Sequence, residues 1–565
     1  MLEDHHPTHQ SRLTQARPAR PPRALPRRTT LTALVTSCLF FSGVASASNA
    51  LEYADNGVAQ FSRGGAWLAT ATDPLAAFYN PAALVTQPTS LGIGFNLPMQ
   101  KICYQRSGPG NEPAYADPSQ QPASPGSDPV ADPYPEVCNK NSSFPRFIPN
   151  AAFNWRVSES FAVGLAVNPP ASYGTLEWPL FVKTTNRIPV VAQRDIPAPQ
   201  RYLSTQVQGT ILMPTLSFGL ALSDNFRVGA GFISGLALLD LNAVSMSTVA
   251  ASRPYDEFGN DNLSEMSVKD LFIPGFVVSS HASFGPNIDV AGWFKWTDAI
   301  NAKGDADITA GLNRNGAPSK ICTQDQVDAA LAAGTDPPCS VTTHSADEVG
   351  KDSVEVKITV PMEARIGIRY HKPAAPPSAL AAERFRKDKY SVRDPLRDDV
   401  YDLELNLTWA NNSAADAIEV RFTEPFQPVG VPGLTPEDAT RPTGWKDSFG
   451  ARLGGQYNVS RDRIGLRLGT WVETSAVDPE YLNVTGVPAL RGGFGGGLVV
   501  RMGAVDIETG YQHIWNAGLD NEGDGALKAI AGSGNSPENR SYHAVNGGKI
   551  SQHADVFSIG GVARF

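Results

Sequence analysis

A two-residue rhythm returns along much of this chain and constrains its fold more than any other feature. In 402–409, Leu403, Leu405, Leu407 and Trp409 alternate with Asp402, Glu404, Asn406 and Thr408. Phe449, Ala451, Leu453, Tyr457 and Val459 lie opposite Arg452 and Gln456. Ile464, Leu466, Leu468 and Val472 oppose Arg463, Arg467 and Glu473, and Val505, Ile507, Tyr511 and Trp515 oppose Asp506, Glu508 and Gln512. Successive strand side chains point to opposite faces, so each segment has one apolar face and one charged face.

A soluble β-sandwich alternates too. Three features favour a membrane barrel. Segments of about 9–11 residues match a tilted membrane strand. Full charges along the polar faces suit a wet lumen. Trp293, Trp296, Trp409, Trp471, Tyr511 and Trp515 fall toward segment ends, where interfacial girdles sit. A helical membrane protein would need several apolar runs of about 20 residues, and none follows the N-terminus. The 41% hydrophobic content is instead spread thinly over 565 residues. The predicted fold is all-β: a transmembrane antiparallel barrel that alone satisfies every backbone group in lipid.

Candidate strands lie near 89–97, 149–157, 160–168, 202–212, 215–222, 226–237, 273–284, 288–298, 353–370, 401–410, 449–459, 463–473, 493–503, 505–515 and 555–565. The segment 353–370 is read as one strand because its apolar parity never breaks from Val354 to Tyr370. This set is odd in number, whereas single-chain bacterial barrels have even counts, so fourteen or sixteen is expected. Ser223-Asp224-Asn225 and Ser460-Arg461-Asp462 predict tight turns on one side. Segments 98–148, 299–352 and 516–554 predict long loops on the other. The stretch 372–399 breaks this scheme, being long where a short turn is due. Gly492 to Gly497 predicts a strand bend or bulge.

The N-terminus reads as an export signal over 1–47. Arg12, Arg17, Arg20, Arg23, Arg27 and Arg28 precede an apolar run from Leu31 to Phe41, and Ala45-Ser46-Ala47 offers small residues for cleavage. A single membrane anchor is the alternative, but the run is short. Val35-Thr36-Ser37-Cys38 makes a poor lipoprotein box. The removed segment carries six Arg against Glu3 and Asp4, so cleavage takes the formal charge from −9 to −13. That balance argues against a nucleic-acid partner. His5, His6 and His9 leave with the signal. Four of five cysteines remain, and an exported chain can pair them as disulfides. Sequence neighbours favour Cys103–Cys138 and Cys322–Cys339, with free thiols as the alternative; the spacings do not resemble a zinc site.

Residues 49–88 lack strand alternation. They run through Asn56-Gly57, Phe61, Arg63-Gly64-Gly65-Ala66-Trp67 and Thr72-Asp73-Pro74 to Phe78-Tyr79-Asn80-Pro81-Ala82. A barrel of this size has a lumen wide enough for water, and an N-terminal segment is a natural plug. Here the sequence resembles the FadL/TodX family of outer-membrane transporters for long-chain fatty acids and aromatic hydrocarbons. The likeness rests on the glycine-rich stretch, the Asp and Asn80-Pro81-Ala82. It extends to Met213-Pro214, Val228-Gly229-Ala230-Gly231, Gly444-Trp445-Lys446-Asp447-Ser448, Arg467-Leu468-Gly469, Pro488 and Arg491-Gly492-Gly493, and to the alternating last strand ending on Phe565.

The resemblance implies about fourteen strands over 89–565, closed by a hatch over 48–88. It also implies ligand capture outside, a hatch shift and lateral escape through a kinked strand. Phe61, Trp67, Phe78 and Tyr79 are candidate ligand contacts, or equally plug core. Expected partners are a hydrophobic small molecule such as a fatty acid, outer-membrane lipids, and assembly machinery that reads Phe565. A monomer with no cofactor and no metal is expected. The long loops, the four cysteines and 372–399 depart from the family pattern. Rival readings are a general porin, a surface adhesion barrel and a barrel enzyme. Against the last, G-x-S-x-G, H-E-x-x-H and P-loop patterns are absent, and His281, His371, His513, His543 and His553 are scattered. His513 reads as an outward interfacial residue, and Asp506 with Glu508 as pore lining.

Overall fold

Fourteen antiparallel strands close into one ring in the computed structural model. It describes residues 56–107, 135–140, 148–169, 174–183, 195–247, 262–310, 354–387, 392–423, 438–528, 531–532 and 544–565, with isolated positions 329, 332 and 333. All lie within the unit Ala45–Phe565. The export signal, Cys322, Cys339 and His543 lie outside the described residues.

The strands are β1 (Ser90–Arg106), β2 (Ile148–Arg156), β3 (Phe161–Asn168, continued by Gly174–Glu177), β4 (Gln206–Ala221), β5 (Phe226–Ser247), β6 (Asn262–Phe284) and β7 (Ile288–Thr297, continued by Ile300–Ala310). Then come β8 (Val354–Ile358, then Glu363–Pro373), β9 (Asp399–Ala410, then Ala417–Phe422), β10 (Ala439–Pro442, then Ser448–Ser460), β11 (Ile464–Glu473), β12 (Arg491–Met502), β13 (Val505–Asn516) and β14 (Gly548–Arg564). Each pairs with its neighbours, and β1 closes the ring on β14 from Ser90↔Arg564 to Arg106↔Gly548. Joins at one end are short, at 157–160, 222–225, 285–287, 461–463 and 503–504. Asp462 adopts φ 60° in one of them, a left-handed position that Asn and Asp tolerate in turns.

The alternation sorts as expected over the lower barrel. Leu403, Leu405 and Leu407 face out while Asp402, Glu404 and Asn406 are buried inside. Leu91, Ile93, Phe153, Phe218, Phe232, Phe276, Ile366, Leu466, Phe494, Ile507, Phe557 and Ile559 extend the exposed apolar face around the ring. So large an apolar surface on a folded chain marks a membrane-facing belt. Among the described residues no helix is long and apolar enough to cross a membrane.

Several expectations are corrected. Segments 202–212 and 215–222 are one strand, β4. Pro214 cannot donate to a ladder, yet the register runs through it, with Val167↔Pro214 on one side and Leu212↔Leu236 and Thr215↔Ile233 on the other. Merging the two leaves fourteen. The Gly492 to Gly497 run makes no bulge; β12 pairs in continuous register with both neighbours. Part of each expected loop 98–148, 299–352 and 516–554 is strand, since β1, β7 and β14 run on into them. Trp293 and Trp471 are buried inside, whereas Trp296 and Trp515 face outward.

The most informative correction concerns 353–370. It is two pieces, Val354–Ile358 and Glu363–Pro373. Apolar residues keep even numbers throughout, but Val354 and Val356 are buried inside while Ile366, Ile368 and Tyr370 are exposed outside. The break turns the wall inside out. The same inversion follows the break at 298–299, where Trp293, Lys295 and Thr297 point inward below it and Ile300, Ala302 and Ala306 above it. In the outer pieces charge faces solvent, as in Lys357–Glu419 at 3.0 Å and Arg421–Glu419 at 2.6 Å. The outer wall is thus apolar inside and charged outside, the reverse of the membrane belt.

Candidate functional site

The N-terminal segment 56–88 lies inside the ring. Its helix α1 (Val58–Ser62) places Phe61 in a cluster with Trp471, Ile514, Ala554 and Val556. Gly64 and Gly65, at φ 60° and 80°, then turn the chain where a side chain would be strained. A Cβ on Gly64 would also strike the Thr470 backbone. Helix α2 (Ala76–Tyr79) leads through Asn80 into a 3₁₀ turn over Pro81–Thr86. Pro81 opens that turn, where its missing N–H is no loss.

Wall side chains fasten this segment by its backbone from several directions. Trp293 Nε1 donates to Phe78 O at 2.8 Å, Ser217 Oγ to Ala77 O at 2.5 Å, and Asn154 Nδ2 to Leu84 O at 3.1 Å. Ala82 N donates to Ser279 Oγ at 2.8 Å. Ala69 N and Thr70 N donate to the two carboxylate oxygens of Glu404 at 2.8 and 2.9 Å. Arg63, almost wholly buried, donates to Asp402 Oδ1 at 2.6 Å, to Ala66 O at 2.8 Å and to Thr70 Oγ1 at 3.1 Å. Asp402 in turn meets Arg369 of β8 at 3.1 Å. Where wall and segment backbones touch, the strands carry glycine: a Cβ on Gly454 or Gly469 would overlap the Arg63 peptide, and one on Gly229 the Pro81–Ala82 peptide.

The residues expected at the site are all buried here. Asn80 Nδ2 donates to Leu68 O at 2.7 Å and so ties two turns of the segment together. Trp67, Phe78 and Tyr79 form an edge-to-face chain, with centroids 6.4 Å apart for Trp67–Tyr79 and 5.0 Å for Phe78–Tyr79. Phe61 stands apart from them in its own cluster. Asp73 caps the following turn by accepting Leu75 N at 2.8 Å. Burial and the neighbouring Glu508 push its carboxyl up to about 7, against the lowering pull of Leu75 N and Arg467. Arg63, Glu404, Ser217 and Ser279 were not expected; only the inward parity of Asp402 and Glu404 hinted at partners. Asp506 and Glu508 each serve an arginine, Asp506 with Arg501 at 2.7 Å and Glu508 with Arg467 at 2.8 Å. His513 is partly exposed, beside Asp555 at 2.9 Å.

Above the segment, one buried apolar cluster joins Trp67, Phe78 and Leu84 to Ile211, Met213, Ile233, Leu239, Val268 and Ile273, and on to Ile300, Val354, Val356 and Val360 of the inverted wall. Beside it, the first piece of β3 ends at Asn168. Tyr79 Oη accepts from Asn168 Nδ2 at 3.1 Å and from Asn56 N at 2.8 Å, and Asn56 Nδ2 donates to Pro169 O. At the outer end a second cluster, including Tyr104, Trp178, Leu203, Leu482 and Val545, packs the loops together. The Cys103–Cys138 disulfide forms there, as expected. A cleft lined by Ile418, Arg441, Val477, Tyr481 and Pro488 encloses only 60 Å³, far below the roughly 300 Å³ of a drug-sized pocket.

No protein-family profile and no curated protein matches the sequence. Solved structures do match. A FadL homologue of Pseudomonas aeruginosa superposes with a TM-score of 0.59 at 14% identity, over 93% of this chain and 100% of that one. The toluene transporter TbuX of Ralstonia pickettii gives 0.52 at 13% identity over 91% and 99%, and TodX of Pseudomonas putida 0.53 at 11% over 91% and 99%. In fold, this chain is a fourteen-stranded β-barrel similar to these FadL-homologue and TodX structures.

Proposed function

We propose that this chain admits hydrophobic small molecules, most simply long-chain fatty acids, across the outer membrane by passive diffusion gated by the N-terminal hatch. The carrying observation is the inverted outer wall. Its apolar inner face runs without interruption into the aromatic face of the hatch, whereas a water-filled porin needs a polar lumen. A hydrophobe gains free energy by leaving water for that surface. Release through the wall beside Asn168 and Pro169 is the matching exit, because Tyr79 and Asn56 hold the hatch against these two residues. Aromatic hydrocarbons are the second reading, favoured by the fold shared with toluene transporters.

The test is uptake by cells lacking their own transporters. Radiolabelled oleate and toluene are compared with sucrose for the unaltered chain, Val356→Asp and Asn80→Ala. One hydrophobe should enter much faster than sucrose. Val356→Asp should block it and Asn80→Ala slow it, at equal surface amounts and with heat-modifiable gel migration retained. Sucrose entering as fast as either hydrophobe would show an open porin instead.

A further inference from the structure

The join between β8 and β9, residues 374–398, lies at the end where the other joins are two to four residues long. Its described part contains α3 (Pro377–Lys387) and α4 (Pro395–Asp398). It does not stand free. Val392, Leu396, Arg397 and Asp398 are each less than 5% exposed.

Adjacent residues reach well-separated arcs of the mouth. Arg393 Nη1 donates to Asp289 Oδ1 of β7 at 2.9 Å, and Asp394 Oδ1 accepts from Arg501 Nη2 of β12 at 3.2 Å. The rim supplies further bonds. Asn458 Nδ2 donates to Pro395 O at 2.7 Å, Asp462 N to Leu396 O at 2.9 Å, and Arg461 Nε to Arg397 O at 2.6 Å. Upward, Arg393 N donates to Thr86 O at 3.1 Å, the last turn of the hatch. A loop that merely connected two strands would keep these charges in water, where desolvation costs nothing.

We infer that the described part of this join, centred on 392–398, is a second plug, seated under the hatch and closing the mouth in series with it. Moving the hatch alone then opens no continuous aqueous path. A molecule that passes the hatch finds the axial route shut and must leave through the wall. The inference concerns the axial path and does not depend on which cargo is carried.

Planar-bilayer conductance tests it with four proteins: the full chain, a deletion of 48–88, a chain with 374–398 replaced by an Asn-Gly turn, and the combination. Heat-modifiable migration identifies folded barrels before measurement. The full chain and each single variant should stay at baseline. The combination should conduct on the order of tenfold more, as a lumen of this width allows. The inference is overturned if deleting 48–88 alone conducts as much as the combination, or if the combination stays at baseline. Asp394→Ala in the chain lacking 48–88 leaves the plug present but unclasped. It should give brief openings; silence equal to its parent would remove Asp394 and Arg501 from the closure.

Discussion

Replacing Arg63 by Met would test how the hatch is held. The guanidinium is the cation that the hatch brings to Asp402 across 339 residues of sequence. Removing one partner of a buried pair typically costs about 3–5 kcal/mol, because the other charge stays behind unpaired. Here Asp402 keeps Arg369 at 3.1 Å, and Glu404 keeps Ala69 N and Thr70 N. The expected loss is therefore near the lower bound, about 3 kcal/mol. At about 1.4 kcal/mol per tenfold, hatch opening becomes on the order of a hundredfold more frequent. Amide hydrogen exchange in detergent reads this directly: amides of 57–70 should lose roughly two decades of protection while β11–β14 keep theirs. Asp402→Asn added to Arg63→Met should restore part of the loss, since a buried carboxylate that has lost one of its two arginines is then gone. Unchanged exchange in 57–70 for Arg63→Met would refute the claim that this pair holds the hatch.

Three further outcomes follow from the same contacts. Asp73, raised to about 7 in the fold from 3.8, favours the proton-bound folded form; its contribution is full below the unfolded pKa and is lost as pH rises through the folded one. Between about pH 6 and 8.5 that is about 1.4 kcal/mol, so hatch amides, corrected for intrinsic rates, should exchange about tenfold faster at the higher pH. Asp73→Asn should abolish the difference. Gly454→Val would drive a side chain into the Arg63 peptide; the barrel should still migrate as folded while the hatch becomes sensitive to limited proteolysis. Cys103→Ser opens a disulfide spanning 35 residues, a loss of about 3–4 kcal/mol by loop entropy. It should speed cleavage within 107–137 without unfolding the barrel.

Much of the belt was legible because it obeys one local rule. In 401–410 and 505–515 the parity of charge and apolar side chains identified strand, face and membrane together. The rule failed where local pattern and tertiary position part. Along Val354 to Tyr370 parity is unbroken, yet the apolar residues change sides at a four-residue break that no alternation can reveal. Trp293 and Trp471 read as girdle residues because an aromatic at a strand end fits either face. The segment inside the ring was visible as a stretch that fails to alternate, with Asn80-Pro81-Ala82 its clearest motif. Its fastenings were not, because Arg63–Asp402 and Ser217–Ala77 join residues far apart in sequence. The insertion 372–399 had no local explanation, since its role lies in the mouth it fills.

The glycines where wall meets hatch carry a consequence for biogenesis. Val58 lies against Gly560 of β14, the last strand, and Arg63 against Gly454 and Gly469. The segment that precedes the strands is enclosed by a ring that β14 closes on β1. An already sealed cylinder would have to readmit a chain that buries Arg63 and Trp67 on arrival. The order that avoids this has the N-terminal stretch fold into an open, curling sheet, with β14 zipping onto β1 around it. Gly560 leaves room on β14 for Val58 at that closure.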